Sequence, residues 1–425
     1  MKNSVLTLAG ASAMTALLSL GVQGCANDAS AGPTSMVETS FESITVLAFD
    51  DDGTLFIGDS GTGKVHAVTP TAVDNPTAEQ GYNLRDIDTK LAELLGTTTS
   101  EIRVRDLAVH PTSKEAYLAV GRVTQDDYGS AIVIINQAGE ARLLDPELTG
   151  ETLEVPFAPT EDFFFYRDVP SRDLTFTDLE VHEGQLYIAG MSNADFASSL
   201  WASPIPFDGE ASTTTVEIYH GVHGQQETRA PIRTMKVVDI AGEDYMLAAY
   251  TCTPLVVFPL SEIQDGAHIT GKTIGELGFG NTPGDILAFD GQDMEQNPFP
   301  LVFIQNKNQS PQVIAMQAVS EAAAGEGITT PLGISTVDLG ASSMPMINIL
   351  QIDDQDPGRL LALRRDAEQG DLELVSYLKN VYFRLSDFQS EYEIPGYAYS
   401  PDQDFTRQFQ NMMKIDEGYP ELVVE

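Results

Sequence analysis

The sequence predicts an all-β fold: a six-bladed β-propeller with a short inter-blade helix, with a seven-bladed ring as the alternative. Short runs of apolar and β-branched residues alternate with Asp/Gly turns over most of the chain, the pattern of antiparallel meanders. The same strand–turn–strand group recurs six times at irregular spacing, which marks stacked repeating units rather than one continuous sheet. Helical periodicity is confined to one short stretch before the second group.

The chain divides into a signal peptide (1–24), a tether (25–40) and a single propeller domain (41–425). Lys2 gives a positive start, and the apolar run Val5 to Leu20 is too short and too rich in Gly, Ser and Thr for a comfortable membrane span. It ends at Val22-Gln23-Gly24-Cys25, which resembles the lipobox of bacterial lipoproteins, with Gln23 an unusual occupant of its position. That resemblance implies cleavage before Cys25, lipid on its sulfur, and a membrane partner reached through that anchor. With Ala26 following rather than Asp, it also implies an outer-membrane lipoprotein of the cell envelope, facing the periplasm or the exterior. An ordinary secretory signal with Cys25 unmodified is the alternative. The stretch from Asn27 to Ser40 is polar and contains Gly, Pro and Ser, as suits a flexible tether.

The first group is Ile44 to Phe49, the turn Asp50-Asp51-Asp52-Gly53, Thr54 to Gly58, and Lys64 to Val68. A helix is expected over Asp86 to Leu95, where Ile87, Leu91, Leu94 and Leu95 share a face, Asp86 or Asp88 caps the start and Gly96 stops it. The second group runs through Asp106–His110, Ala116–Val120 and Ala131–Ile135, and the third through Asp178–His182, Leu186–Gly190 and Leu200–Ala202. Met235–Val238, Tyr245–Tyr250 and Leu255–Phe258 make the fourth. The fifth and sixth begin at Ile286 and Ile349. Each first run is apolar at nearly every position, as a strand packed on both faces must be. Phe157 to Asp173 and Phe388 to Glu425 fit no group, and either could hold a seventh.

The stretch Leu47 to Val68 resembles a blade of the NHL-repeat and gluconolactonase-like propellers, and the later groups resemble it more loosely. The resemblance implies a fold rather than an activity, because such propellers include hydrolases, binding modules and scaffolds. In the calcium-dependent lactonase-like members, acids near the channel mouth hold the ion. Asp106, Asp178 and Asp285, each opening a first strand, are the corresponding candidates for calcium, although later groups offer no carboxylate in a consistent register. Asp106, next to Arg105, is equally readable as half of an ion pair. The chain has a single tryptophan, Trp201, whereas quinoprotein propellers carry one in nearly every blade.

There are 63 acidic against 23 basic residues, a net charge of −40, and removal of the signal peptide loses only Lys2 from this balance. Repulsion on this scale argues for a monomer and against nucleic acid as a partner. The acids are spread along the whole chain, so solvation of the surface accounts for most of them. With two cysteines, Cys25 and Cys252, acylation of the first leaves no disulfide.

In a propeller the inter-blade connectors and the second hairpin turns share one face, where binding loops are expected. The connector Tyr219 to Thr234 concentrates His220, His223, Arg229 and Arg233 around Gly221 and Gly224, with Cys252 at the hairpin turn of the same blade. Two histidines three apart are weak metal ligands on spacing alone, and Cys252 is readable as a nucleophile, a soft-metal ligand or a small buried apolar side chain. Lys307 and Arg364 map to the same face and would suit an anionic or carbonyl-bearing small molecule or protein partner. No catalytic motif is present, so the leading expectation is a binding or scaffold module, with a metal-dependent hydrolase of the lactonase type as the alternative.

Overall fold

Strands β1 (Ile44–Phe49), β2 (Leu55–Asp59) and β3 (Lys64–Val68) follow one another as an antiparallel meander in a computed structural model of the protein. The structure describes residues 41–71, 73–123, 128–145, 148, 150–159, 164–165, 169–278, 280–292, 297–367, 369–382, 384, 403–416 and 423. The expected signal peptide, the tether and Cys25 therefore lie outside the described residues.

After β3 the chain crosses to a two-residue strand, β4 (Asn83–Leu84), and helix α1 (Ile87–Leu95). Gly96 ends α1 in the left-handed conformation, its N–H turned back to Ala92 and Glu93, while Asp86 makes no side-chain cap. Next come β5 (Ile102–Val109), β6 (Ala116–Val123), β7 (Tyr128–Ile135) and β8 (Ala141–Leu143), then β9 (Glu151–Glu154) and the short hairpin β10 (Phe164–Phe165) and β11 (Val169–Pro170). Strands β12 (Asp178–His182), β13 (Gln185–Met191), β14 (Ser198–Pro204) and β15 (Ser212–His220) form the next meander, extended at its edge by β16 (Gln225–Glu227). They are followed by β17 (Ile232–Ile240), β18 (Glu243–Tyr250), β19 (Pro254–Pro259) and β20 (His268–Glu276). A further sheet holds β21 (Pro283–Gln292), β22 (Pro298–Asn306) and β23 (Gln312–Ala315), then helix α2 (Met316–Ala324) and β24 (Ser342–Ser343). The last sheet contains β25 (Ile349–Asp356), β26 (Arg359–Arg365) and β27 (Leu372–Leu378), and α3 (Gln403–Asp416) follows it.

The architecture is mainly β and propeller-like, a ring of several twisted sheets. First strands line the inside: β1 packs against β5 and β12, β12 against β17, β17 against β21, β21 against β25, and β25 against β5. Between each pair of sheets lies an apolar layer, which is why nearly every first and second strand is buried on both faces. Ile44, Leu55 and Ile57 meet Ala108, Tyr117 and Ile132. On the opposite face, Val46 and Phe56 meet Leu186, Ile188 and Trp201. Ala189, Leu200 and Val216 pack against Met235, Met246 and Val256. Leu247, Leu255 and Val257 face Ile286, Val302 and Ile314, and Phe303 faces Leu360 and Ala362. Leu361, Leu363 and Leu374 close the circle on Leu107, Leu118 and Val133, with α1 contributing Ile87, Leu91 and Leu95.

Chain order and ring order differ. The sheet β5–β8 sits between the first sheet and the last, so the second group lies on the side of the first that closes the ring. The fourth strand of the first sheet is β9, reached only after β8, and the fourth strand of the last sheet is β4. The outer strands β15 and β20 pair in parallel and join two sheets into one nine-stranded sheet. Among the described residues, 157–173 supply only the hairpin β10–β11 and a turn of 3₁₀ helix, and 388–425 supply α3 and no strand.

Candidate functional site

The first strands enclose a channel cavity of about 860 Å³. Its walls are β1, β5, β12, β17, β21 and β25, and its rim includes the turns at Asp50–Asp52, Glu183–Gly184 and Asp356–Pro357. The cavity therefore opens on the face of the first hairpin turns. The expectation placed any site on the opposite, connector face; the reason for the difference is that short turns leave this end of the channel uncovered. Asp50, Asp51, Asp52, Glu183, Asp354 and Asp356 line the mouth, Glu180 and Asp353 lie in the wall, and Asp106, Asp178 and Asp285 sit toward the connector end. Among the described residues the only lysines in the lining are Lys114 and Lys236, and none is an arginine.

Asp106, Asp178 and Asp285, the expected calcium ligands, have a different employment. The Leu47 N–H on β1 donates to Asp106 Oδ2 at 2.6 Å, the Met235 N–H on β17 to Asp178 Oδ2 at 2.6 Å, and the Ile352 N–H on β25 to Asp285 Oδ2 at 2.7 Å. Asp353 receives Val109 N–H on β5 at 2.6 Å, and the Thr234 hydroxyl receives Ile286 N–H at 3.0 Å. Five of the six first strands, all but β1, thus offer a side-chain oxygen to the unpaired backbone of a neighbour, because first strands have no ladder partner across the channel. Among the described residues the three aspartates do not form a group of ligand atoms close enough to share an ion.

Burial raises these carboxyls, opposed by the backbone N–H groups they accept. Asp106 is pushed up to about 6, Asp353 to about 7, and Asp178, which also feels the charges of Asp106 and Glu180, to about 8. Asp285 is likewise raised well above the carboxylate range by burial and by Asp106. Burial lowers Arg233, against the pull of Asp178 and Asp285, and lowers Lys307, which Arg233 pushes down further. Lys236 shows the reverse balance: burial lowers it, but Glu180, 2.9 Å away, holds it above its ordinary value.

The residues expected to share a ligand are divided. His220, His223 and Cys252 come together, with one ligand atom from each lying within 4.8 Å of the others. They gather at the periphery, where β15 ends, and not in the channel lining. Arg233 is half-buried on β17 and belongs with Asp178 and Asp285, not with the histidines. Arg229 is exposed between β16 and β17, and Lys307 directly follows β22 near Asp285 and Asp106. Arg364 is buried on β26, its Nε donating to Glu373 at 2.8 Å and its Nη1 to the Tyr377 hydroxyl at 2.7 Å, so it is not free to meet a ligand.

Sequence reasoning missed Glu180, Asp353 and Asp354 as lining and Glu227 and Glu276 as partners of the histidines. Glu180 had a signal, two residues after Asp178 on the same strand face. Glu276 had none, because only the sheet arrangement brings the end of β20 beside β15. A second group, His182, Glu183 and Asp244, lies at the channel mouth with ligand atoms within 4.8 Å of one another, and His182 Nε2 is 3.0 Å from Asp244 Oδ2.

Fold and channel together define a mainly-β, propeller-like protein with an acid-lined axial cavity. No family model matches the sequence, and no curated protein matches it. Among solved structures, hydrazine synthase of Kuenenia stuttgartiensis is similar over 81% of this chain and 98% of its own, at 11% identity and a TM-score of 0.32. Extracellular domains 1–2 of Drosophila semaphorin 1b are similar over 80% and 88%, at 9% identity and a TM-score of 0.35. The PQQ-bound aldose sugar dehydrogenase of Streptomyces coelicolor is similar over 81% and 96%, at 10% identity and a TM-score of 0.28. Likeness at this level carries no argument about activity.

Proposed function

We propose that this chain is a lipid-anchored envelope protein whose six-bladed propeller is a binding module for a positively charged ligand. The ligand enters the channel from the face of the first hairpin turns. The observation that carries the reading is the acidity of the channel, where among the described residues 11 acidic side chains line the cavity against two lysines. Burial makes Asp106, Asp178, Asp285 and Asp353 hold their protons more firmly, so the field comes chiefly from the other seven. Carboxylates around a low-dielectric concavity focus a negative potential and concentrate cations at its mouth. A volume of about 860 Å³ is in the range of small-molecule sites and would take an organic polyamine or the end of a basic peptide. The group His182, Glu183 and Asp244 at the mouth makes a divalent cation the simplest member of that ligand class.

Six blades are supported by the six recurrent groups and by the six first strands that pack in a circle. The anchor rests on Val22-Gln23-Gly24-Cys25, and a monomer on the net charge of −40. The lactonase-type alternative has less support, because Asp106, Asp178 and Asp285 each direct Oδ2 to a backbone N–H of a neighbouring strand.

Titration calorimetry with spermidine, and separately with calcium, tests the ligand class. The variant Asp51→Asn/Asp52→Asn/Glu183→Gln removes three exposed mouth charges without touching the inter-strand carboxylates. Its affinity should fall by about tenfold or more. No binding to the unaltered protein, or equal affinity in the variant, would refute the reading. For the anchor, Cys25→Ser should move the protein from the membrane to the soluble fraction, and retention at the membrane would remove that part of the proposal.

A further inference from the structure

We propose that His220, His223 and Cys252 form a binding site for one divalent transition-metal ion of the zinc class, with Glu227 orienting the His223 imidazole. The site is separate from the channel and does not depend on what the channel binds.

Two sheets build it. Strand β15 ends at His220, and a tight turn whose Gly224 N–H donates to the His220 carbonyl at 2.7 Å sends the chain back into β16, which ends at Glu227. Gly224 takes the left-handed φ of 65° that this turn requires. Cys252 comes from the β18–β19 turn of the adjoining meander and holds a φ of 86°, a conformation rare for a residue with a side chain. Such backbone persists where the surrounding structure over-determines it, and it gathers at binding sites.

The contacts have the form of a metal centre with its supporting shell. Ligand atoms of the three residues lie within 4.8 Å of one another. A tetrahedral ion with bonds of about 2.0–2.3 Å needs its donors roughly 3.5 Å apart, so closure asks for movements of about 1 Å. Glu227 Oε1 is hydrogen-bonded to His223 Nδ1 at 2.6 Å, whereas Oε2 lies 3.1 Å from His220 Nδ1 without hydrogen-bond geometry, so that buried nitrogen has no hydrogen-bond partner. That leaves Nε2 of His223 as the donor, the arrangement in which a carboxylate fixes the tautomer and direction of a metal-binding imidazole. The two ring centroids already lie 3.8 Å apart, with their planes inclined at 41°. His220 Nε2 meets the Thr253 hydroxyl at 3.0 Å, and on binding it would exchange that oxygen for the ion while Thr253 keeps its bond to Glu276.

Charge and access fit as well. Glu276 is fully buried, accepts the Gly221 N–H at 2.6 Å, and stands 3.9 Å from His220 Nε2. With Glu227 and a thiolate, it surrounds the position with negative charge that a dication balances. The His223 side chain is 42% exposed and Cys252 is half-buried, so the ion has a path from solvent, whereas His220 is 1% exposed and fixed. One thiolate and two imidazoles suit zinc and its neighbours, not calcium or magnesium, which take oxygen.

Cobalt(II) titration of the reduced full chain tests the site. The expected result is one equivalent that gives a thiolate-to-cobalt charge-transfer band and the intense visible bands of four-coordination, all displaced by zinc. Cobalt taken up at the channel mouth, where there is no thiolate, adds nothing to the charge-transfer band. Cys252→Ser should abolish the charge-transfer band, and His223→Ala, at an exposed position, should weaken binding at least tenfold while the protein stays folded. The mouth variant Asp51→Asn/Asp52→Asn/Glu183→Gln should leave the cobalt spectrum unchanged, which separates this site from the channel. Cobalt that gives only the weak bands of six oxygen ligands, or equal affinity in His223→Ala, would overturn the proposal and leave the cluster a clasp between two sheets.

Discussion

Asp178 shows what a carboxylate does when it sits where two first strands need an acceptor. Its Oδ1 takes the Leu179 N–H at 2.8 Å and its Oδ2 the Met235 N–H at 2.6 Å, so it satisfies donors that the open inside of the ring would leave bare. Burial, together with Asp106 and Glu180, pushes its carboxyl up to about 8. The unfolded chain releases the same proton near pH 4, about 3.9 for a free aspartate. Between these values the folded state binds the extra proton, so stability is greatest on the acid side and falls as pH rises through the folded value. Melting temperature should therefore decline from about pH 4 to about pH 8 and level off above that, with the contribution of Asp353, raised to about 7, complete at a lower pH than that of Asp178. Asp178→Asn loses one of two acceptors and should be about 1 kcal/mol less stable at pH 6. Its decline toward pH 8 should be shallower than that of the unaltered protein. Parallel pH curves for the two would show that Asp178 is ionised throughout.

At the scale of elements, legibility followed burial. The first three strands of each sheet are apolar enough to be packed on both faces, and their pattern places them: Ile44 to Phe49 as expected, and Met235 to Val238 as the middle of a longer β17. Fourth strands carry little such signal because they sit at the outer edge. Strand β8 is Ala-Arg-Leu, β9 is Glu-Thr-Leu-Glu and β4 is only Asn-Leu, and all three read as loop. Missing them hid the exchange of chain order, since β9 and β4 are what tie distant segments into the first and last sheets. Tyr82, just before β4, carries the join. It is fully buried, its hydroxyl accepts the Ala116 N–H at 2.9 Å, and its backbone exchanges hydrogen bonds with Ser376. A lone tyrosine in a polar stretch gives no hint of this, because its partners lie in two other sheets. The same limit applies to the site residues. His220 and His223 were visible as a pair, and Cys252 as a neighbour by topology, but their carboxylate partner Glu276 depends on the parallel pairing of β15 with β20.

For the whole molecule, the charge of −40 acts on folding and on binding with opposite signs. Folding brings the carboxylates closer together than in the open chain, so their mutual repulsion opposes the compact state. The channel concentrates that repulsion, because 11 of the acids line one cavity, seven of them besides the buried Asp106, Asp178, Asp285 and Asp353. Salt screens exposed charges over about 10 Å at 0.1 M and about 3 Å at 1 M, and the mouth acids Asp51, Asp52 and Glu183 are solvent-exposed. Raising sodium chloride from about 0.02 M to about 0.5 M should therefore raise the melting temperature by several degrees. The same change should weaken spermidine binding by about tenfold or more, since the field that draws a cation to the channel is the field being screened. A ligand held by apolar contact would show no such loss, and its affinity would rise with salt along with stability. Measuring both quantities on one salt series thus decides between an electrostatic channel and an acidic surface that serves only solvation. A melting temperature that rises while spermidine affinity stays constant would assign the carboxylates to solvation alone.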